Sequence, residues 1–263
     1  MLRVRYEHCL GFCSGDTGGN PAGVVLPEQD QLLNDAERQA LAKALGFAET
    51  VFVSSIVVHE KGSAVCALRY FTPEAEVDLC GHATIACLGL LHTRHLLSGA
   101  TRGELQTRAG SVGFRIESPS KREAEAVVFM QQLAPTIGDP LMGTALSDLA
   151  TALRISEDLL ARWSKAWPPR VASTGLRDLM LCVPGPSELR ALQPDMVALS
   201  RLSKKLDVVG LHAFCIPDPA ELEGGAHDDS AMRVDLHVRN FAPLFGIDEE
   251  SATGTSNCAL ACA

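Results

Sequence analysis

Two short turns carry the residue types best suited to chemistry in this chain. Cys80-Gly81-His82-Ala83 follows Arg69-Tyr70-Phe71-Thr72-Pro73, and Thr253-Gly254-Thr255-Ser256 follows Arg239-Asn240-Phe241-Ala242-Pro243. Each copy reads R-x-F-x-P, then an acidic loop, then a small or thiol residue, a glycine and a polar residue that opens an apolar run. The repetition predicts two similar half-molecules, with a helix beginning at each glycine and a pocket where the two helix starts face each other.

A helix start of this kind suits an anionic ligand. Its first backbone N–H groups have no partner within the helix and carry partial positive charge, so they can bind a carboxylate or a developing enolate. Glycine at Gly81 and Gly254 lets a ligand approach the backbone closely. His82 could pass a proton, and Thr255 offers a hydroxyl at the corresponding place. The alternative interpretation is two ordinary helix caps with an incidental histidine.

Acidic and thiol side chains supply candidates for proton transfer. Glu49 lies between a helix stop and an apolar strand, and Glu250 precedes the second turn. A glutamate enclosed by apolar surroundings has a raised pKa, which suits a general acid/base near neutrality. Cys80 raises a second hypothesis, a racemase with one thiol on each face of its substrate. Thr253 stands where the second thiol belongs, and a hydroxyl cannot act as such a base near neutral pH.

Composition excludes several other functions. The 263 residues carry a net charge of −9, which disfavours binding to nucleic acid. No apolar stretch approaches the ~20 residues that span a bilayer, and from the charges in the first residues we expect no signal peptide. We therefore expect a cytoplasmic protein without a membrane partner. The nine scattered cysteines lack metal-ligand spacing, so no metal site is predicted.

The elements that would position these residues are partly readable. Residues 2–6 read as a strand. Asn34 caps a helix, with Glu37 completing a capping box and Gly46 ending the helix. The run after Gly81 is apolar all round, which predicts a helix buried inside a sheet or barrel. Residues 131–143 contain two prolines and are the expected linker. The second apolar run stops at Ala263, so we expect a truncated second half.

Four stretches together resemble the phenazine-biosynthesis isomerase (PhzF-like) family. They are Gly19 to Val25, Ala48 to Phe52, Arg69 to Thr84, and Gly246 to Asn257. The resemblance implies an α+β fold of the diaminopimelate epimerase type, with two pseudo-symmetric halves, each a mixed sheet or barrel curled around a buried central helix. We place these halves at residues 1–120 and 121–263.

The resemblance also implies a function. It indicates an isomerase that forms a homodimer, needs no cofactor and moves a proton on a small carboxylate substrate. In the isomerase that names the family, a glutamate moves a proton on a dihydro-hydroxyanthranilate. By motif, Glu49 is that catalytic glutamate, with His82 and Glu250 as its companions. Asn20, Gly81, Gly254 and Thr255 fall on substrate-binding positions.

The sequence departs from the family pattern in its opening segment, Glu7 to Cys13, and at Glu250 and Thr255, where aspartate and serine are usual. The first of these departures and the longer acid at Glu250 suggest another substrate than the phenazine intermediate. Two rivals stay open: a racemase or epimerase that uses Cys80, and a non-catalytic module that binds small acids.

Overall fold

A computed structural model describes residues 3–14, 17–60, 62–117, 126–216 and 236–263 of the chain. The architecture is α+β, and the chain divides into two compact units. The first contains Met1–Pro135, Thr174–Leu176 and Ser251–Cys258, and the second contains Thr136–Ser173, Arg177–Glu250 and Ala259–Ala263. The second glycine turn, which begins at Thr253, therefore belongs to the first unit. The division predicted at residue 120 assigns this turn to the second half.

Fourteen strands are described. In chain order they are β1 (Glu7–Ser14), β2 (Thr17–Val25), β3 (Glu49–His59), β4 (Ser63–Phe71), β5 (Glu76–Val77), β6 (Arg102–Thr107), β7 (Gly110–Glu117), β8 (Val127–Met130), β9 (Thr136–Pro140), β10 (Arg170–Ser173), β11 (Arg177–Cys182), β12 (Gly210–Cys215), β13 (His237–Ala242) and β14 (Ile247–Glu250).

Eight α-helices and a short 3₁₀ turn over Pro243–Phe245 accompany these strands. The helices are α1 (Pro27–Asp30), α2 (Asp35–Leu45), α3 (Gly81–Thr93), α4 (Thr144–Leu153), α5 (Glu157–Trp163), α6 (Pro186–Ala191), α7 (Met196–Leu206) and α8 (Gly254–Cys262). In the described part of the chain, none has the length and apolar character that a membrane-spanning segment requires.

The first unit is an eight-stranded sheet around α3. Its order is β1-β2-β3-β4-β6-β7-β8, with β5 paired to β4. Helix α3 contacts β1, β2, β3 and β8, and Ala83, Cys87, Leu88 and Leu91 on it are fully buried. A helix that is apolar all round has no face for water, so the predicted burial of this segment is confirmed.

The second unit has a six-stranded sheet in the order β14-β13-β12-β11-β10-β9. Strands β11 and β12 are parallel, and the other pairs are antiparallel. One face packs on an apolar cluster that includes Leu149, Leu160, Leu181 and Leu211. The helices of this unit supply much of that cluster, as expected for a sheet that packs against helices.

The R-x-F-x-P repeat forms the same structure in both units. Arg69 donates to Glu76 over 2.7 and 2.9 Å, and its guanidinium lies 5.3 Å from the centre of the Phe71 ring. In the second unit Arg239 donates to Glu249 over 2.7 and 2.8 Å. The two arginines therefore bind acids of the following short strand, β5 or β14, which ties each arginine's strand to the segment leading into the glycine turn.

Local sequence signals are confirmed where their partners are close in the chain. The side chain of Asn34 accepts from the Glu37 backbone N–H over 3.0 Å, and the Glu37 carboxylate accepts from the Asn34 backbone N–H over 2.8 Å. Gly46 ends this helix in the left-handed conformation at φ 70°. These are the two halves of a capping box and a glycine C-cap.

One predicted strand is absent, and the predicted linker contains a strand as well as the boundary between the two units. Residues 3–6 form no strand, and β1 begins at Glu7. The expected linker over residues 131–143 includes the boundary between the units, at Pro135 and Thr136, and also β9, which is an edge strand of the second sheet. An edge strand tolerates proline because one side of its backbone needs no ladder partner. Pro140 therefore does not prevent strand formation there.

Candidate active site

A chain of two hydroxyl groups connects the start of α3 to β4. The Thr84 hydroxyl donates to the Cys80 carbonyl over 2.6 Å, so the Tyr70 hydroxyl, 2.6 Å from Thr84 Oγ1, must be the donor to it. Burial raises the pKa of Tyr70 well above its usual value, which keeps this donor protonated. The turn that begins at Gly81 is thereby held against β4.

Glu49 and His82 form the centre of the site. Glu49 is the first residue of β3, where it pairs with Ala22 in the parallel ladder to β2. His82 is the second residue of α3. Glu49 is 8% exposed and His82 is 1% exposed. His82 Nε2 lies 3.5 Å from Glu49 Oε2. Two proton-transfer groups therefore face each other with little access for water.

Asn20 contacts the opposite edge of the His82 ring. It is 2% exposed, and its Nδ2 lies 3.1 Å from His82 Nδ1. The same nitrogen donates to the Ala252 carbonyl over 2.9 Å. The sequence predicts Asn20 as a substrate-binding residue, and that role stays a prediction. Within the structure its amide hydrogens are directed to the histidine and to the backbone.

The starts of α3 and α8 adjoin within the first unit. A Cβ atom on Gly81 would lie 2.9 Å from Thr255 Oγ1 and 3.8 Å from the Gly254 Cα. Thr255 is 3% exposed, and among the described residues its hydroxyl has no hydrogen-bond partner. The structure thus brings two helix N-termini and a buried hydroxyl together beside the Glu49–His82 pair. This is an electropositive backbone environment that favours an anion.

Two residues that sequence reasoning missed cover these helix starts. Gly11 packs so closely that a Cβ atom there would overlap the His82 carbonyl oxygen. Likewise, a Cβ atom on Gly254 would overlap the Phe12 ring. Phe12 has φ 61°, a left-handed conformation rare for an aromatic residue, and is 43% exposed. The signal available in the sequence was the glycine at position 11, which permits close backbone approach.

A thiol lies beside the same histidine. Cys80 is 4% exposed, and its Sγ is 3.4 Å from His82 Nδ1. Ligand atoms of Glu49, Cys80 and His82 all lie within 4.8 Å of one another. Thiolate, imidazole and carboxylate are zinc ligands, so these three residues could hold a metal ion, although the cysteine spacing in the sequence predicts no metal site.

Glu250, the third predicted catalytic residue, belongs to the second unit. It ends β14 and lies opposite Asn240 in the ladder to β13. The Asn240 amide donates to the Glu250 carboxylate over 3.1 Å. Its catalytic role stays a prediction. Of the predicted site residues, Asn20, Glu49, Gly81, His82, Gly254 and Thr255 all belong to the first unit.

Comparison with protein families and curated proteins adds independent information. The family described as "Phenazine biosynthesis-like protein" matches residues 11–262. An uncharacterized isomerase of Deinococcus radiodurans is 35% identical over 261 residues, which cover 98% of this chain and 75% of that protein. The uncharacterized isomerase YddE of Escherichia coli K12 is 32% identical, over 97% of this chain and 77% of YddE.

Solved structures agree with these sequence matches. A phenazine biosynthesis protein of the PhzF family from Bacillus anthracis superimposes with a TM-score of 0.76 at 27% identity, over 99% of this chain and 79% of that one. A hydroxyproline epimerase from Agrobacterium vitis, solved with trans-4-hydroxy-L-proline, has a TM-score of 0.56 at 10% identity, over 97% of this chain and 75% of the epimerase. The second likeness shows a shared fold, and the predicted epimerase-type architecture is confirmed.

Proposed function

Because this chain belongs to the phenazine biosynthesis-like protein family of isomerases, we propose that it moves a proton on a small carboxylate substrate, with Glu49 as the acid/base. The observation that carries this proposal is the pair of Glu49 and His82. Their side chains are almost completely buried and their facing atoms lie 3.5 Å apart. Proton-transfer groups in structures without substrate are often this far apart and close up when substrate binds.

The reaction we propose uses only acid–base chemistry. The Glu49 carboxylate removes a proton from a carbon of the substrate, and the electron pair of the broken C–H bond moves into a conjugated enolate or dienolate. A proton then returns to a different carbon, either from Glu49 itself or from His82 Nε2, in which case the proton held by Glu49 passes to the vacated Nε2. One C–H bond breaks and another forms, so the enzyme ends in its starting protonation state and no redox partner or cofactor is required.

The adjoining helix starts are the proposed binding place for the substrate's negative charge. The first N–H groups of α3 and α8, at Gly81 and Gly254, can donate hydrogen bonds to a carboxylate or to the enolate oxygen. The buried Thr255 hydroxyl can add a hydrogen bond. Interactions that strengthen as charge develops lower the barrier, whereas equal binding of substrate and transition state does not.

The role of Glu250 and the assembly of the protein need separate measurements. Assistance by Glu250 stays a prediction, which Glu250→Gln tests through the rate of isomerisation. Assembly as a homodimer also stays a prediction, and light scattering of the purified protein measures it.

The test of the proposal is hydrogen exchange with solvent. Small carboxylic acids, including proline and trans-4-hydroxyproline, are incubated with the protein in D₂O, and proton NMR follows the loss of each C–H signal. For an acid that exchanges, we expect Glu49→Gln to abolish exchange while the circular dichroism spectrum is retained. Glu60→Gln, in the exposed turn directly after the same strand, is the matched control and should exchange normally. Full exchange in Glu49→Gln would remove Glu49 from the mechanism.

The thiol beside His82 supports a second candidate, a racemase that uses Cys80. A Sγ–Nδ1 distance of 3.4 Å allows the imidazole to take the thiol proton. This candidate predicts that Cys80→Ala stops exchange, that substrate protects the thiol against alkylation, and that Glu49→Gln keeps exchanging. Binding of acids without exchange in the wild-type protein would instead favour a non-catalytic module.

A further inference from the structure

We propose that Asn20 is a positioning residue that fixes His82 in the neutral form with its proton on Nε2, the nitrogen that faces Glu49. The structural part of this inference rests on contacts of the described residues alone. Its catalytic meaning rests on the proposed function, in which Glu49 and His82 exchange protons with the substrate. Asn20 acts through the histidine and is not itself a catalytic group.

The contact with Ala252 determines which way the Asn20 amide faces. Its Nδ2 lies 2.9 Å from the carbonyl oxygen of Ala252. A backbone carbonyl can only accept a hydrogen bond, whereas the two ends of an amide side chain are a donor and an acceptor. The opposite orientation would press two acceptor oxygens together in a place that is almost closed to water. The Ala252 carbonyl therefore sets the amide so that its NH₂ group faces inwards.

The orientation of the Asn20 amide in turn determines which ring nitrogen of His82 carries the proton. An amide NH₂ carries two hydrogens, and one of them is given to Ala252. The other points to His82 Nδ1, which lies 3.1 Å from the same nitrogen. Nδ1 can receive that hydrogen only if it has none of its own. In a neutral imidazole exactly one nitrogen is protonated, so the proton must be on Nε2.

The position of the His82 proton determines what the histidine presents to Glu49. With its proton on Nε2, His82 places a donor nitrogen 3.5 Å from Glu49 Oε2. The other tautomer would turn a lone pair towards the carboxylate and leave His82 without a proton to give on that side. Asn20 thus keeps a hydrogen-bond donor of His82 on the side of Glu49 in the resting enzyme. In the serine protease triad, loss of the partner that sets the tautomer lowers kcat by about 10⁴.

The contact to Ala252 connects this tautomer to the second helix start. Ala252 precedes Gly254 by two residues, and the neighbouring Ser251 hydroxyl donates to the Gly19 carbonyl over 3.2 Å. The segment before α8 is therefore bound twice to the β2 segment that carries Asn20. A displacement of this segment would release the amide and, through it, the histidine proton.

Cys80 is the competing influence on the same ring nitrogen. Its Sγ lies 3.4 Å from His82 Nδ1, and a thiolate there would favour a proton on Nδ1, opposite to the effect of Asn20. A neutral thiol would instead donate towards Nδ1 and agree with it. The relative importance of the two neighbours can therefore be measured by removing them one at a time.

The experiment is ¹⁵N NMR of the protein labelled at histidine nitrogens, with His82→Gln to assign the His82 signals among the eight histidines. For the wild-type protein near neutral pH we expect a protonated Nε2 and an unprotonated Nδ1. Asn20→Asp should move the proton to Nδ1, because a carboxylate accepts there. Asn20→Leu, which keeps the bulk without a donor, should give a mixture. Cys80→Ala should leave the wild-type pattern.

Two results would overturn the inference: a proton on Nδ1 in the wild-type protein, or the same tautomer in wild type, Asn20→Asp and Asn20→Leu. If Asn20→Asp does not fold, Asn20→Leu alone decides. The solvent-exchange assay separates this inference from the proposed function. A wild-type protein with its proton on Nε2 but no exchange of any acid would keep the role of Asn20 and refute the isomerase reaction. Where exchange is found, Asn20→Asp should slow it by at least about tenfold.

Discussion

Substitution of Gly81 by alanine tests how closely the two helix starts adjoin. The added Cβ atom would lie 2.9 Å from Thr255 Oγ1, roughly 0.5 Å inside an ordinary carbon–oxygen contact. Thr255 is buried and its side chain is branched at Cβ, so it has little freedom to move away. Overpacking of this kind typically costs ~1–3 kcal/mol, and the better helix propensity of alanine offsets up to about 1 kcal/mol. We expect a net loss of about 1–2 kcal/mol.

Helix α3 offers a matched control in Gly89. A Cβ atom there would meet nothing within 4 Å, so Gly89→Ala adds helix propensity without overlap and should stabilise the protein by about 0.5–1 kcal/mol. Urea unfolding followed by circular dichroism measures both variants. The two substitutions are chemically identical and lie in one helix, so the sign difference between them isolates the contact at the helix start.

The contact itself is tested by a double substitution. Thr255→Ala removes Oγ1, so it should restore most of the stability lost in Gly81→Ala, and the coupling energy of the pair should be near the overpacking term, about 1–3 kcal/mol. The reasoning is refuted if Gly81→Ala is as stable as Gly89→Ala. It is also refuted if Gly81→Ala is destabilised to the same extent with and without Thr255, since the strain would then lie elsewhere.

Three further predictions concern charge, thiols and hydrogen retention. Hydrogen bonds from Arg69 hold the pKa of Glu76 below its usual value, so its ionised form stabilises the fold above about pH 4.5 and this contribution is lost as pH falls below that. Glu76→Gln should lower stability by up to about 1 kcal/mol at pH 7, and by less at pH 3 in urea unfolding. Burial raises the pKa of Cys9 to about 11, so mass spectrometry after brief iodoacetamide treatment at pH 8 should find exposed Cys13 modified well before Cys9. Because Glu49 is only 8% exposed, product formed early in D₂O should keep part of its original hydrogen, and complete deuteration of the first product would contradict a single shielded base.

The sequence was informative where the structural cause is local. The capping box at Asn34 and Glu37 needs only residues three apart, and both hydrogen bonds are present. The uniform apolar composition after Gly81 correctly predicted a buried helix, because such a segment has no polar face to expose. The repeated arginine and phenylalanine also form equivalent contacts in both units.

The opening strand shows why the remainder was not predictable. Residues 2–6 have the alternation of a strand, yet β1 begins at Glu7 and includes Gly11 and Phe12. Glycine is a poor strand former, but here it lets the strand pass directly over the His82 carbonyl. The tertiary contact with α3 thus overrides local propensity. The positive φ of Phe12 and the contact of its ring with Gly254 have no signature in the sequence, because Gly254 is far away along the chain.

The contents of the two helix starts explain why a one-base mechanism suits this chain. The first start has Cys80 and His82 next to Glu49, three groups that can carry a proton. At the second, the Thr253 hydroxyl lies 3.0 Å from the Ser256 hydroxyl, and hydroxyl groups do not act as bases near neutral pH without an activating partner. A racemase that needs a base on each face has only one of them here. In the reaction we propose, proton removal and return therefore both take place beside the first start, and the second start binds the negative charge of the substrate.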